Sequence, residues 1–538
     1  MKKLTFLSLM LTLSLFAFSQ KVPKPPMMGF STWNAFHARI DEELIKAHAD
    51  ALVSTGLRDA GYRYLNIDDG YFDGRDADGN IRVKADKFPS GMKALADYVH
   101  SKGLKFGLYG DAGPNTCASI WEKTKELGGI GVGFYEHEEQ DMKLYFNNWD
   151  ADYVKVDYCG ASQQNLKLDE ETHYTKIKQA IDKTGTADYI FNVCRWTFPG
   201  TWVIKLADSW RISGDIHPSF GSMTYILDLN TFLAPYMSPG HYNDMDMLQI
   251  GNGMTYDEDR TQMSLWCVLT SPLVLGTDLR KISPQTLEIV TNKEAIAINQ
   301  DMTEQGRLIS DFGNSLQVWS KKLNGKQSGE RAVVLFNRTD NEANITVDFA
   351  DIDLASKASI RDIWQAKDLG NFTDFYIGKV PAHSAVLLLI KGKNVIPTCF
   401  EAEYAYLHNF SHLKYTQVIP EQARATEIQG ASKKSGVKYI GGNPENYLEF
   451  RDVFVKKSGK YPLTISYLSG EDRFFKLSVN GKEVPTQVFN SGSFSQVGTQ
   501  TVIVKLKAGN NVIRFENETE FAPDLDKIEI GKKLKLSE

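Results

Sequence analysis

Short apolar runs and helix-patterned segments take turns along the first half of the chain. The strand candidates are Met27–Trp33, Tyr62–Asp69, Lys105–Asp111, Asp152–Asp157, Tyr189–Cys194, Trp210–Asp215, His241–Asp246 and Pro272–Asp278. Several are continuously apolar rather than alternating, the pattern of strands covered on both faces. Between them lie segments such as Ser90–Lys102, with Met92, Leu95, Ala96 and Val99 on one helical face and Gly103 as the stop. Eight such units in about 280 residues predict an α/β fold, a (β/α)8 TIM barrel over residues 20–302.

The pattern changes after Asp301. Leu316–Lys321, Arg331–Asn337, Asn344–Phe349, Ala358–Asp362 and Ser384–Ile390 read as short strands joined by Gly, Asn and Asp turns, a small antiparallel β domain over 303–394. From 400 to 533 the pattern is again all strand: Tyr447–Val453, Gly459–Tyr467, Phe474–Val479, Thr499–Leu506 and Asn511–Phe515. Asn480-Gly481 marks a hairpin there, and the segment is expected to be a β-sandwich. As a separate module, its removal should leave turnover of small substrates unchanged.

Residues 1–19 carry the signature of an export signal. Lys2 and Lys3 precede the apolar run Leu4–Phe18, and Ala17-Phe18-Ser19 predicts cleavage before Gln20. The run is short for a bilayer span, and no Cys follows it as in a lipoprotein. The mature protein is therefore expected in the periplasm or outside the cell, with no membrane insertion. A net charge of −6 argues against a nucleic-acid surface, and 42% hydrophobic with 24% charged residues argues against wholesale disorder. Of five cysteines (Cys117, Cys159, Cys194, Cys267 and Cys399) an odd one must stay unpaired, and none has zinc-ligand spacing. An assembly of several copies is compatible with this composition.

Asp157 and Asp215 each close one of the strand candidates, placed like the working ends of a sugar-cleaving enzyme. Barrel enzymes keep their chemistry at strand ends, and retaining glycoside hydrolysis needs two carboxyl groups about 5–5.5 Å apart. Lys155 lies two residues before Asp157, on the same strand face, where a cation keeps a nucleophilic carboxylate ionised. Asp215 suits the acid/base role, which needs a raised pKa beside a charged Asp157. Arg211 is placed to orient Asp157 or a sugar hydroxyl. A lone Asp at a strand end more often caps a helix; two with partner cations point to catalysis. Asp68-Asp69 offers a third acidic site that sugar hydroxyls could satisfy, and Trp33, Tyr109, Asp111 and Asp246 end other strands of the same cup. Nine Trp and 23 Tyr suit stacking on sugar faces as well as core filling.

Several stretches together resemble glycoside hydrolase family 27, the α-galactosidase and α-N-acetylgalactosaminidase family. They are Pro26-Met27-Met28-Gly29-Phe30-Ser31-Thr32-Trp33-Asn34, Leu65-Asn66-Ile67-Asp68-Asp69, Lys87-Phe88-Pro89-Ser90-Gly91-Met92, Tyr242-Asn243-Asp244-Met245-Asp246-Met247-Leu248 and Ile298-Asn299-Gln300-Asp301. The resemblance implies Asp157 as nucleophile, Asp215 as acid/base and no cofactor for catalysis. It implies that Asp68 and Asp69 read the 4- and 6-hydroxyls of galactose, with Trp33, Tyr109, Lys155, Arg211 and Asp246 around the sugar. It also implies a Cys117–Cys159 disulfide beside the nucleophile, leaving Cys194, Cys267 and Cys399 as thiols. Two positions depart from the family. Arg195 stands where its α-galactosidases carry a Glu for the 2-hydroxyl, and arginine only donates; it is expected either to line the sugar site or to pair with a carboxylate. Gly70-Tyr71 replaces a family Cys-Trp and should reshape the rim.

The C-terminal segment resembles carbohydrate-binding modules of families 35 and 6 at Phe400-Glu401-Ala402-Glu403, Gly441-Gly442 and Phe521-Ala522-Pro523-Asp524-Leu525-Asp526. That resemblance implies a structural calcium held by Glu401, Glu403 and Asp526. The reading that follows is an exported, retaining exo-α-galactosidase acting on an oligo- or polysaccharide by double displacement. The alternatives are the same mechanism on another sugar (as an α-N-acetylgalactosaminidase, β-L-arabinopyranosidase or isomalto-dextranase) and an inactive glycan-binding protein.

Overall fold

The computed structural model describes residues 23–121, 127–162, 169–313, 315–411 and 422–534. The expected export signal, residues 1–19, lies outside them. Eight parallel strands form one sheet: β1 (Met28–Ser31), β2 (Tyr64–Asn66), β3 (Lys105–Asp111), β4 (Tyr153–Asp157), β5 (Ile190–Val193), β6 (Ser209–Arg211), β7 (Tyr242–Asp244) and β8 (Leu273–Leu275). Neighbours run β8-β1-β2-β3-β4-β5-β6-β7, and the barrel closes where Leu248, just past β7, bridges Leu275 of β8. The expected strands are thus present but shorter, because the ladder ends where each chain turns into its loop. The helix Gly91–Ser101 buries Met92, Leu95, Ala96 and Val99 and ends before Gly103, whose φ of +73° is the left-handed stop that glycine supplies most readily. Among the described residues no helix is long and apolar enough to cross a membrane.

Strands Arg307–Phe312, Leu316–Leu323, Glu330–Asn337, Ser384–Asn394, Leu354–Asp362 and Lys367–Thr373 form a six-stranded sheet, with Ala343–Asp348 and Phe375–Val380 paired separately. Trp319, Leu323, Val334 and Phe336 share a core with the barrel, while Val318, Val333, Leu335, Ile345 and Val347 fill a core of their own. Period-two alternation accounts for this split, since successive side chains point to opposite faces. Buried Lys321 ties the two units together, donating to the carbonyls of Ile298 and Asp301 at 2.7 Å each. Arg361 adds a bidentate pair to Glu294 at 2.7 and 2.8 Å.

Beyond residue 398 two antiparallel sheets stack around Leu448, Leu463, Ile465, Leu477, Phe515 and Ile528. Asn480 and Gly481 both have positive φ, as a two-residue hairpin turn requires. The chain's last described strand, Asp524–Ile530, pairs with its first one here, Cys399–Glu401.

Candidate active site

The C-terminal mouth of the barrel gathers two clusters of charge. In the first, Lys155 Nζ lies 3.0 Å from Asp68 Oδ2 and 3.6 Å from Asp157 Oδ1. Alternation along β4 puts Lys155 and Asp157 on one face, so the pair is built into the strand. Asp68 is fixed further, its backbone N–H donating to Thr32 Oγ1 at 3.0 Å. Tyr109 is buried under the same lysine, whose ammonium stands 5.4 Å from the ring centroid.

The floor behind Asp157 is unusual. Register pairs Asp157 of β4 directly with Asp111 of β3, an arrangement that repels when both are charged. Burial and Asp157 push the Asp111 carboxyl up to about 8, so at neutral pH it is largely protonated. It accepts hydrogen bonds from the N–H groups of Gly113 (2.6 Å) and Gly160 (3.1 Å). The Cys117–Cys159 disulfide lies against the same spot, with Cys117 Sγ 3.3 Å from Asp157 Oδ2. Burial raises Asp157 to about 6 even though Lys155 pulls the other way. Asp69 is fully enclosed, accepts from the N–H groups of Gly70 (2.7 Å) and Ala118 (3.0 Å), and is raised by burial to about 7.

In the second cluster Arg211 Nη2 reaches Asp246 Oδ2 at 2.9 Å and Asp215 Oδ1 at 3.0 Å. Asp246 also accepts from the Ile216 N–H at 2.8 Å and sits at a φ of +72°, held there by its partners. The Trp196 indole N–H donates to Asp215 Oδ1 at 3.1 Å. Asp215 is far more exposed than Asp157, its side chain 45% accessible. Burial raises its pKa, yet Arg211, Lys155 and the Trp196 N–H together hold it below the usual carboxylate value. The acidity order in the open site is therefore the reverse of the sequence expectation. Lys155 does not keep Asp157 low because full burial outweighs it, and Asp215 is not raised because Arg211, Lys155 and the Trp196 N–H outweigh its burial. Between the clusters lies Cys194, a buried free thiol among Asp157, Lys155, Arg211 and Asp215. Trp33 begins the short helix after β1, half-buried and edge-on to His37 at 5.2 Å.

Arg195 is not aimed at these groups. It pairs with Glu170 at the head of the helix Glu170–Lys183 and lies 4.9 Å over the Tyr158 ring, so the carboxylate partner is the expectation that describes it. Tyr71 is also displaced from its expected role: it is buried, donating to the Tyr109 carbonyl at 2.7 Å, rather than shaping a rim. Gly70 before it has a φ of +119°, and a Cβ there would come within 2.7 Å of the Ala38 backbone. Sequence reasoning did not find Trp196, Glu170 or the Asp111–Asp157 register. Trp196 had a visible signal, lying next to Arg195; the other two depend on pairings across the fold. Cys194, Cys267 and Cys399 are free, as expected.

In the C-terminal sandwich Ser432 Oγ shares its one proton between Glu401 Oε2 (2.7 Å) and Asp526 Oδ1 (2.6 Å), and Ser435 Oγ donates to Glu403 Oε1 (2.7 Å). Glu403 Oε2 is buried without a hydrogen-bond partner, and burial raises this carboxyl to about 7. Carboxylate oxygens are the donor chemistry of a hard cation, but the three acids are turned onto Ser432 and Ser435 and do not all bring an oxygen within 4.8 Å of one another.

Carboxylates set beside fixed cations at the mouth of a parallel barrel are the working parts of sugar-cleaving enzymes, and this protein is a barrel glycoside hydrolase. The family model for alpha galactosidase A matches residues 26–301, and that for the alpha galactosidase C-terminal beta sandwich domain matches 313–390. Alpha-galactosidase A of Cellvibrio japonicus is 40% identical over 69% of this chain and 92% of its own length. The alpha-galactosidase of Oryza sativa subsp. japonica is 41% identical over 65% of this chain and 80% of its own. Among solved structures, alpha-galactosidase I from Mortierella vinacea superposes with a TM-score of 0.63 at 32% identity, covering 69% of this chain and 98% of that one. The chain belongs to glycoside hydrolase family 27.

Proposed function

We propose that the protein is an exported, retaining exo-α-galactosidase that removes terminal galactose from an oligo- or polysaccharide. The observation that carries this is the pair of clusters, Lys155 with Asp157 and Arg211 with Asp215, at one barrel mouth, in a chain similar to proteins named α-galactosidases. Asp157 attacks the anomeric carbon while Asp215 gives a proton to the departing oxygen. A water molecule, deprotonated by Asp215, then releases the sugar from Asp157. A bound sugar covers the exposed Asp215 and withdraws it from water, which favours its neutral form. The same cover strengthens the attraction of Lys155 for Asp157, so substrate itself turns the acidity order toward the working one. Asp68, Asp69 and Asp246 accept the sugar's hydroxyls, Arg211 and Lys155 donate to them, and Trp33 and Tyr109 supply apolar walls.

The orientation of Arg195 favours a second reading, the same mechanism on a different sugar. Paired with Glu170, Arg195 supplies no acceptor for a 2-hydroxyl. Export rests on the N-terminal pattern of Lys2, Lys3 and Leu4–Phe18. Glu401, Glu403 and Asp526, once turned from Ser432 and Ser435, would hold calcium as a structural ion that balances their charge.

The test is hydrolysis of nitrophenyl α-galactoside, α-N-acetylgalactosaminide, β-L-arabinopyranoside and α-glucoside by the wild type and Asp157→Asn. Preference for α-galactoside, lost by several orders of magnitude in the variant, is the expected result. Turnover of another sugar, lost in the same variant, replaces the named substrate and keeps the mechanism. Full activity of Asp157→Asn refutes the nucleophile.

A further inference from the structure

The C-terminal sandwich grips the loop that follows β5. Thr201 donates its N–H to the Phe410 carbonyl (3.1 Å) and its Oγ1 to the His408 carbonyl (2.7 Å). The Phe410 ring stacks on Phe198 and on Tyr236, each at 5.7 Å between centroids. Tyr236 in turn donates its hydroxyl to the Leu407 carbonyl at 3.4 Å. Phe410 packs against both the barrel core and the sandwich core. These contacts run against the expectation of a detachable module.

Two residues before Phe198 stands Trp196, at a φ of +57°. A bulky side chain rarely adopts that left-handed conformation, so the surrounding structure must hold it. Its reward is the indole hydrogen bond to Asp215 Oδ1. Arg211 contacts the same oxygen. With both fixed donors on Oδ1, the transferable proton is directed to Oδ2.

We propose that Leu407–Phe410 is a positioning element of the glycosidase: it clamps the 194–202 loop so that Trp196 orients Asp215 for proton delivery. The inference rests on the reading of Asp215 as acid/base. In the step concerned, the Oδ2 proton passes to the glycosidic oxygen as its bond to the anomeric carbon breaks and the Asp157 bond forms. The second half-reaction returns a proton from water to Oδ2. Leu407, His408 and Phe410 touch neither substrate nor reacting atoms; their effect passes through Thr201, Phe198 and Trp196.

The experiment compares two glycosides of whichever sugar the enzyme turns over: a dinitrophenyl glycoside, whose leaving group needs no proton, and the methyl glycoside, whose leaving group does. Full-length Phe410→Ala, Thr201→Val and Trp196→Phe are assayed beside Asp215→Ala, with thermal unfolding recorded for each. The clamp predicts a loss of about 10- to 100-fold in kcat/KM on the methyl glycoside for Phe410→Ala, with the dinitrophenyl rate kept within about twofold, a fraction of the full general-acid contribution. Trp196→Phe should discriminate in the same sense, and Thr201→Val more weakly. Equal losses on both substrates, or none, in Phe410→Ala mean mere stabilisation and overturn the inference. If Phe410→Ala does not fold, Thr201→Val decides by the same criterion. Where Asp215→Ala discriminates and the clamp variants do not, the inference alone falls. Where Asp215→Ala itself shows equal losses, the acid/base reading falls and takes the clamp with it.

Discussion

Replacing Lys155 by Met tests how much the first cluster depends on one cation. The lysine stands 3.0 Å from Asp68 and 3.6 Å from Asp157, both carboxylates being only 4% exposed. At an effective dielectric of about 20, a charge pair at 3.6 Å is worth roughly 5 kcal/mol, which would be about 3 pKa units if nothing else responded. Some of this is recovered as the acids take up protons, so Asp157 is expected to rise by about 1–2 units from its present value of about 6. A dinitrophenyl glycoside isolates the effect, because its cleavage needs Asp157 charged but no acid. For the wild type, kcat/KM on it should climb with pH through a midpoint near 6; in Lys155→Met the midpoint should lie about 1–2 units higher. Stability follows the same sign. A carboxyl raised on folding binds its proton more tightly in the native state, so its favourable contribution is present below about 4 and lost as pH climbs through the folded value. The melting penalty of Lys155→Met should therefore be larger at pH 8 than at pH 5. An unmoved or lowered midpoint would refute the electrostatic argument.

Cys117→Ser with Cys159→Ser opens a loop of 42 residues, which on chain-entropy grounds costs about 4 kcal/mol; a denaturation midpoint unchanged from the oxidised wild type would contradict this. Calcium added after chelation should raise the melting temperature of the wild type, by about 2.7 kcal/mol of stabilisation at a hundredfold excess over its dissociation constant. Glu403→Gln should abolish that response, and a wild type indifferent to calcium would remove the proposed ion.

The barrel was legible because its strands are short apolar runs that stop at Asp, as at Lys105–Asp111 and Tyr153–Asp157. The residues forming the two charge clusters could be named from those stops and from the family motifs. What could not be read is what depends on partners distant in sequence. The direction of Arg195 is set by Glu170 on the next helix layer, and the acidity order by how far each carboxyl lies from water. The Asp111–Asp157 pairing follows from strand register, which neither segment carries alone. In the sandwich, Cys399–Glu401 and Asp524–Ile530 show as motifs but not as strands, because each mixes charged with apolar residues over few positions.

The pairing of those two strands has a bearing on how the enzyme matures. Cys399–Glu401 finds its partner only when Asp524–Ile530, more than 120 residues later in the chain, has been made. Until then the sandwich that carries Phe410 lacks the central strand of its other sheet, and the barrel waits for the brace of the loop that bears Trp196. Formation of the Asp524–Ile530 strand and competence for proton transfer are thus linked, so that a chain ended before it would carry every reacting group and still turn over slowly.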